Sequence, residues 1–122
     1  MSKVISAANA MIANPQKIKP VLLGQGGNEI FFTYDGKHNW SMTNPNGNYF
    51  LFFYPAASKY KLEQLANIED PEEWEHLAMV RYDAKELGTR EAMQTLSELY
   101  TVIKEKVYGV NEALDDIIGD LF

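Results

Sequence analysis

The residues of this chain that could do chemistry are few, and their spacing completes no catalytic or metal-binding set. His38 and His76 are the only histidines. Asp35-Gly-Lys-His38 sets a carboxylate and an imidazole in one short turn. A general base needs a reacting group within hydrogen-bond reach, and no nucleophile accompanies this pair. Glu73-Trp-Glu-His76 contains one Glu-x-x-His step. Di-iron helix bundles use that step because both ligands project from one helix face, but they need two copies and two further glutamates on long helices. The single copy here stands beside a segment that reads as a strand. The acidic run from Glu69 to Glu75 lacks the spacing of the twelve-residue calcium loop and reads as a solvated connector.

Gly24-Gln-Gly-Gly27 could present backbone amides to a phosphate. It carries neither the Lys-Ser/Thr ending of a P-loop nor the dinucleotide fingerprint, and reads as a flexible turn. Ser41, Ser58 and Ser97 have no nucleophile-elbow context. Cysteine is absent, which excludes disulfides, thiolate metal sites and a cysteine nucleophile. No metal or cofactor is expected, and the chain reads as non-enzymatic. The alternative is a small-molecule-binding protein or minor enzyme. Its pocket would lie between sheet and helices, lined by Tyr34, His38, Trp40 and Tyr82.

The elements that would position these groups follow from hydrophobic periodicity. Val4, Ile5, Ala8, Met11 and Ile12 form a helical stripe that Ser2 or Ser6 can cap and Asn14-Pro15 ends. This start of the chain faintly mimics a signal peptide, but Ser6, Asn9 and Asn14 interrupt the apolar core, and it reads as an amphipathic helix. Pro20 to Gly24 is a short apolar run. The 27 residues from Asn28 to Tyr54 then hold nine of the fifteen aromatic side chains. Within them Glu29–Asp35 places Ile30, Phe32 and Tyr34 on one face. Asp35-Gly36 signals a hairpin. The return strand puts His38, Trp40 and Met42 on one face and Asn39, Ser41 and Thr43 on a face read as wet. Asn44-Pro-Asn-Gly47 is a strong turn, and Tyr49–Tyr54 is the third strand.

Ser58 would cap a short helix through Leu62, Leu65 and Ile68. His76–Asp83 reads as a further strand. Thr89 caps a long helix to about Tyr108, with Met93, Leu96, Tyr100, Ile103 and Val107 as its apolar stripe and Gly109 as its stop. Asn111 caps a last helix bearing Leu114, Ile117, Ile118, Leu121 and Phe122. Strands grouped together and followed by helices predict one α+β two-layer domain spanning residues 1–122. Its antiparallel sheet would have four to five strands, with the helices mainly on one face.

The third strand conflicts with two simple layers, because Phe50, Phe52 and Tyr54 are as apolar as the opposite face. Either helices wrap both sides there, or these rings form an exposed interface for a partner or a second copy. The acidic-hydrophobic end, with Leu121 and Phe122, has the same two readings. It either closes the core or docks in a partner's groove.

Net charge is −6. Residues 1–60 carry five lysines against two acidic residues, whereas residues 61–122 carry six basic against fifteen acidic residues. Nucleic-acid binding needs a concentrated basic face, which this balance opposes. No run nears the roughly 18 apolar residues that span a bilayer, and a cytoplasmic location is the expectation. Size, acidity and helix–strand order resemble those of small acidic secretion chaperones and of bacterial immunity or inhibitor proteins. That resemblance is one of shape, carried by no motif. The doubly apolar third strand, the acidic helical half and the missing catalytic set point to a protein-interaction module, an adaptor, inhibitor or chaperone-like binder, acting on a protein partner or on itself as a homodimer.

Overall fold

The chain is described by a computed structural model over residues 2–55 and 60–120. Its elements run α1 (Lys3–Ala13), β1 (Ile18–Leu23), β2 (Glu29–Tyr34), β3 (His38–Thr43), β4 (Phe50–Tyr54), α2 (Leu62–Ala66), α3 (Pro71–His76), β5 (Val80–Asp83), α4 (Ala84–Leu87), α5 (Arg90–Val107) and α6 (Val110–Gly119). The five strands form one antiparallel meander in the order β1-β2-β3-β4-β5. The fold is α+β.

Local chemistry accounts for the joints. Asp35 and Gly36 both sit at positive φ, and the Lys37 amide donates to the Tyr34 carbonyl at 3.1 Å, closing the β2–β3 hairpin. Asn46 and Gly47 take the left-handed backbone that the next turn requires. Thr89 caps α5 by accepting a hydrogen bond from the Ala92 amide at 3.0 Å. Gly109, in the left-handed conformation, separates α5 from α6.

The structure corrects four local expectations. Residues 71–76 are helical rather than connector. Asp70 caps them by accepting from the Glu72 amide, and Pro71 begins the first turn, where a missing N–H costs nothing. The fifth strand therefore starts only at Val80. A further short helix, α4, follows it, capped by Asp83. The last helix starts at Val110 with Gly109, not Asn111, at its N-cap. Ser58 lies outside the described residues, and α2 has Lys61 at its N-cap.

The sheet carries a core on each face. On one, α1 and α5 pack Ile5, Ala8, Met11, Leu96, Leu99 and Ile103 against Ile30, Phe32, Met42 and Leu51. The stripe expected on the long helix faces this core. On the other face, α2 and the segment after it bring Leu62, Leu65, Ala66, Ile68 and Leu77 over Phe31 and Tyr54. The doubly apolar third strand is thus covered from both sides along part of its length. Leu51 lies beneath the large helical layer and Tyr54 beneath the small one. Among the described residues no helix is long and apolar enough to cross a membrane.

Candidate functional site

Three places gather the singled-out residues. The first is a shallow trough of about 390 Å³ beside α1, lined by Lys3, Val4, Ala7, His38, Trp40, Phe53 and Tyr82. Strand alternation brings them together. Trp40 pairs with Phe53 across β3–β4, and Leu51 with Tyr82 across β4–β5, so every second residue faces α1. The Trp40 and Phe53 rings are tilted with centroids 4.9 Å apart. Three of the four expected pocket residues therefore meet. Tyr34 packs against the core instead and does not line the trough. The Trp40 indole N–H is buried without a hydrogen-bond partner among the described residues. Asp35 makes its ion pair with Lys37, at 4.0 Å between exposed side chains, rather than with His38. The trough offers ring faces, a cation and an imidazole, which suits binding better than bond-making.

The second place is the surface expected from Phe50, Phe52, Tyr54, Leu121 and Phe122. Tyr54 is only 2% exposed, so it is withdrawn from any accessible surface. Phe52 packs at the edge of the small core, and its ring stacks on Phe50 at 6.3 Å. Phe50 is partly buried, and the Arg81 guanidinium lies 5.3 Å over its ring. Leu121 and Phe122 lie outside the described residues. The helix leading to them, α6, contributes no buried side chain. Its Leu114, Ile117 and Ile118 are 50%, 64% and 53% exposed. They share one stripe, with Asp115 and Asp120 at its two edges.

The third place was not expected. Ser41, read as wet, is fully buried. Its hydroxyl donates to Glu29 Oε2 in a short contact and lies 2.8 Å from the Tyr54 hydroxyl, which also reaches Glu29 Oε2 at 3.3 Å. The register explains the meeting. Glu29 pairs with Thr43, so it sits one step diagonally from Ser41 on the face that carries Phe31 and Tyr54. Burial raises the Glu29 carboxyl above the ordinary range, and the hydrogen bonds from Ser41 and Tyr54 oppose this only in part. Burial, then the Glu29 charge, likewise pushes the Tyr54 phenol up.

Glu29 also lines a cleft of about 180 Å³ with Gly24, Gln25, Gly26, Asn28, Phe31, Ala66, Ile68 and Trp74. The glycine-rich turn is therefore one wall of a cleft containing a carboxylate, a poor place for a phosphate. It is tied down rather than loose. The Gln25 amide donates to the Ala66 carbonyl at 3.1 Å, and Gln25 Nε2 to Asn67 Oδ1 at 2.9 Å. A β-carbon at Gly24 would come within 2.9 Å of the buried Phe31 ring.

The remaining sequence candidates do not converge. Glu73 and His76 lie exposed on α3. Among the described residues no three histidine, aspartate or glutamate side chains are grouped to hold a metal. Ser97 donates to the Tyr49 hydroxyl at 3.2 Å, a contact inside the α5–sheet packing. No family model, curated protein or solved structure matches the chain.

Proposed function

We propose that this protein is a non-enzymatic interaction module, an adaptor, inhibitor or chaperone-like binder, and that α6 is its contact element. One observation carries the reading. A helix of ten residues presents Leu114, Ile117 and Ile118 to solvent at half exposure or more, although a single apolar stripe is what normally holds a surface helix to its core. A stripe of that kind, flanked by aspartates, suits an apolar groove with a basic rim on a protein partner, whether another chain or a second copy of this one. The lack of cysteine is compatible with a reducing compartment such as the cytoplasm.

The test is a double variant, Leu114→Ser with Ile118→Ser. Affinity purification from the native host, together with sedimentation of the pure protein, should give a specific complex or dimer for the wild type and lose it in the variant. A wild-type protein that stays monomeric and retains no partner above background removes the reading.

The convergence of His38, Trp40 and Tyr82 in the trough favours a second reading, a small aromatic or apolar ligand bound against α1. It requires a ligand-dependent rise in melting temperature across a metabolite panel, and Trp40→Ala should abolish that rise. A flat response over the panel ends it.

A further inference from the structure

The cleft at Glu29 lies on the opposite face of the sheet from the trough and belongs to neither reading above. A carboxylate partly withdrawn from water ordinarily faces a cation, because its desolvation is otherwise uncompensated. Glu29 has none. Among the described residues the ion pairs are Lys37 with Asp35 and Arg81 with Glu86, and the partners of Glu29 are the two neutral hydroxyls of Ser41 and Tyr54. Both converge on Oε2, and Oε1 makes no hydrogen bond among the described residues.

The walls complete the case. Trp74 on α3 stacks against Phe31 at 6.2 Å and 27°, and both rings line the cleft together with Ala66 and Ile68. An aromatic face beside a carboxylate is the pairing that holds organic cations, one through its quadrupole and the other through charge-assisted hydrogen bonds. The volume, about 180 Å³, corresponds to roughly six waters at ~30 Å³ each. It takes a cationic head with its last methylenes but falls below the roughly 300 Å³ of a typical small-molecule pocket. Glu72, Glu73 and Glu75, exposed on α3 around Trp74, bias the approach toward positive charge. An anion is repelled by Glu29, and one carboxylate is too little for a metal.

We propose that this cleft binds an alkylammonium or guanidinium group, seated between the Glu29 carboxylate and the Trp74 ring. The group belongs either to a free amine or to a lysine or arginine side chain of a bound polypeptide, which share this chemistry.

Methylguanidinium chloride titrated into the full-length protein at constant ionic strength tests this, read by amide and indole NMR signals. Saturable shifts at the Trp74 indole and the Glu29 amide are expected, with affinity weakened by about tenfold or more in Glu29→Gln, the loss of one charge-assisted contact. Trp74→Leu should weaken it similarly, and serves alone if Glu29→Gln does not fold. Shifts that rise linearly without saturating, or that persist unchanged in both variants, overturn the proposal. Comparing agmatine with N-acetyl-arginine amide separates the sources. Tighter binding of the amide points to a polypeptide side chain, and tighter binding of agmatine to a free amine.

Discussion

Glu29 is the residue at which burial and charge conflict most directly. Its carboxyl is raised by burial, so the folded protein holds that proton more tightly than the unfolded chain does. The sign follows. The contribution of Glu29 to stability is full below the ordinary carboxylate range, about pH 4, and is lost as pH rises through the folded value. Glu29→Gln removes the loss while keeping an acceptor for Ser41. The variant should therefore gain on the wild type as pH rises above about 4. Thermal melts of both proteins across that range measure the difference, and a gap independent of pH contradicts it. Gly24 yields a second expectation at this scale. Its missing side chain is what lets the turn lie against the Phe31 ring, itself 1% exposed, because a β-carbon there would stand only 2.9 Å from that ring. Gly24→Ala should destabilise by about 1–3 kcal/mol through overpacking, read from urea midpoints.

At the scale of elements, α5 and α6 make opposite predictions from similar apolar stripes. Leu99 on α5 is fully buried against the sheet core, so Leu99→Ala should cost about 2–5 kcal/mol. Ile117 on α6 is 64% exposed, and Ile117→Ser should change the stability of the isolated chain by no more than about 0.5 kcal/mol. Equilibrium denaturation of both variants decides it, and a large loss at Ile117 would mean that α6 is packed in solution. The two helices also show where sequence reading succeeds. Thr89, the stripe from Met93 to Val107 and Gly109 state α5 outright, because capping and periodicity are local. Nothing local separates the burial of Leu96 from the exposure of Leu114. That depends on whether a sheet lies beneath, and α6, which buries no side chain, makes its main contacts with α5 instead. The α3 helix was hidden for another reason. Its acidic composition resembles a solvated loop, and its signal was the Asp70-Pro71 start rather than a stripe.

For the whole molecule, the charge division read from the sequence falls on the helical half, residues 61–122. A partner recruited by α6 should therefore be attracted electrostatically, and its association rate should fall as salt rises. Stopped-flow mixing at two ionic strengths would show this, and a salt-independent rate would argue for purely apolar docking. The meander from β2 to β4, its turns, the alternation of its faces and the long helix were determined by the sequence alone, because each rests on neighbours a few residues apart. Only the tertiary structure decided that β4 is covered on both faces along part of its length, that the turn at Gly24 walls a cleft, and that Ser41, Tyr54 and Glu29 share hydrogen bonds. The physical reason is common to all three. Burial of a residue depends on elements distant in the chain, and the small layer of α2 and α3 over Phe31 and Tyr54 turned a face that read as wet into a second core with a partly buried carboxylate at its edge.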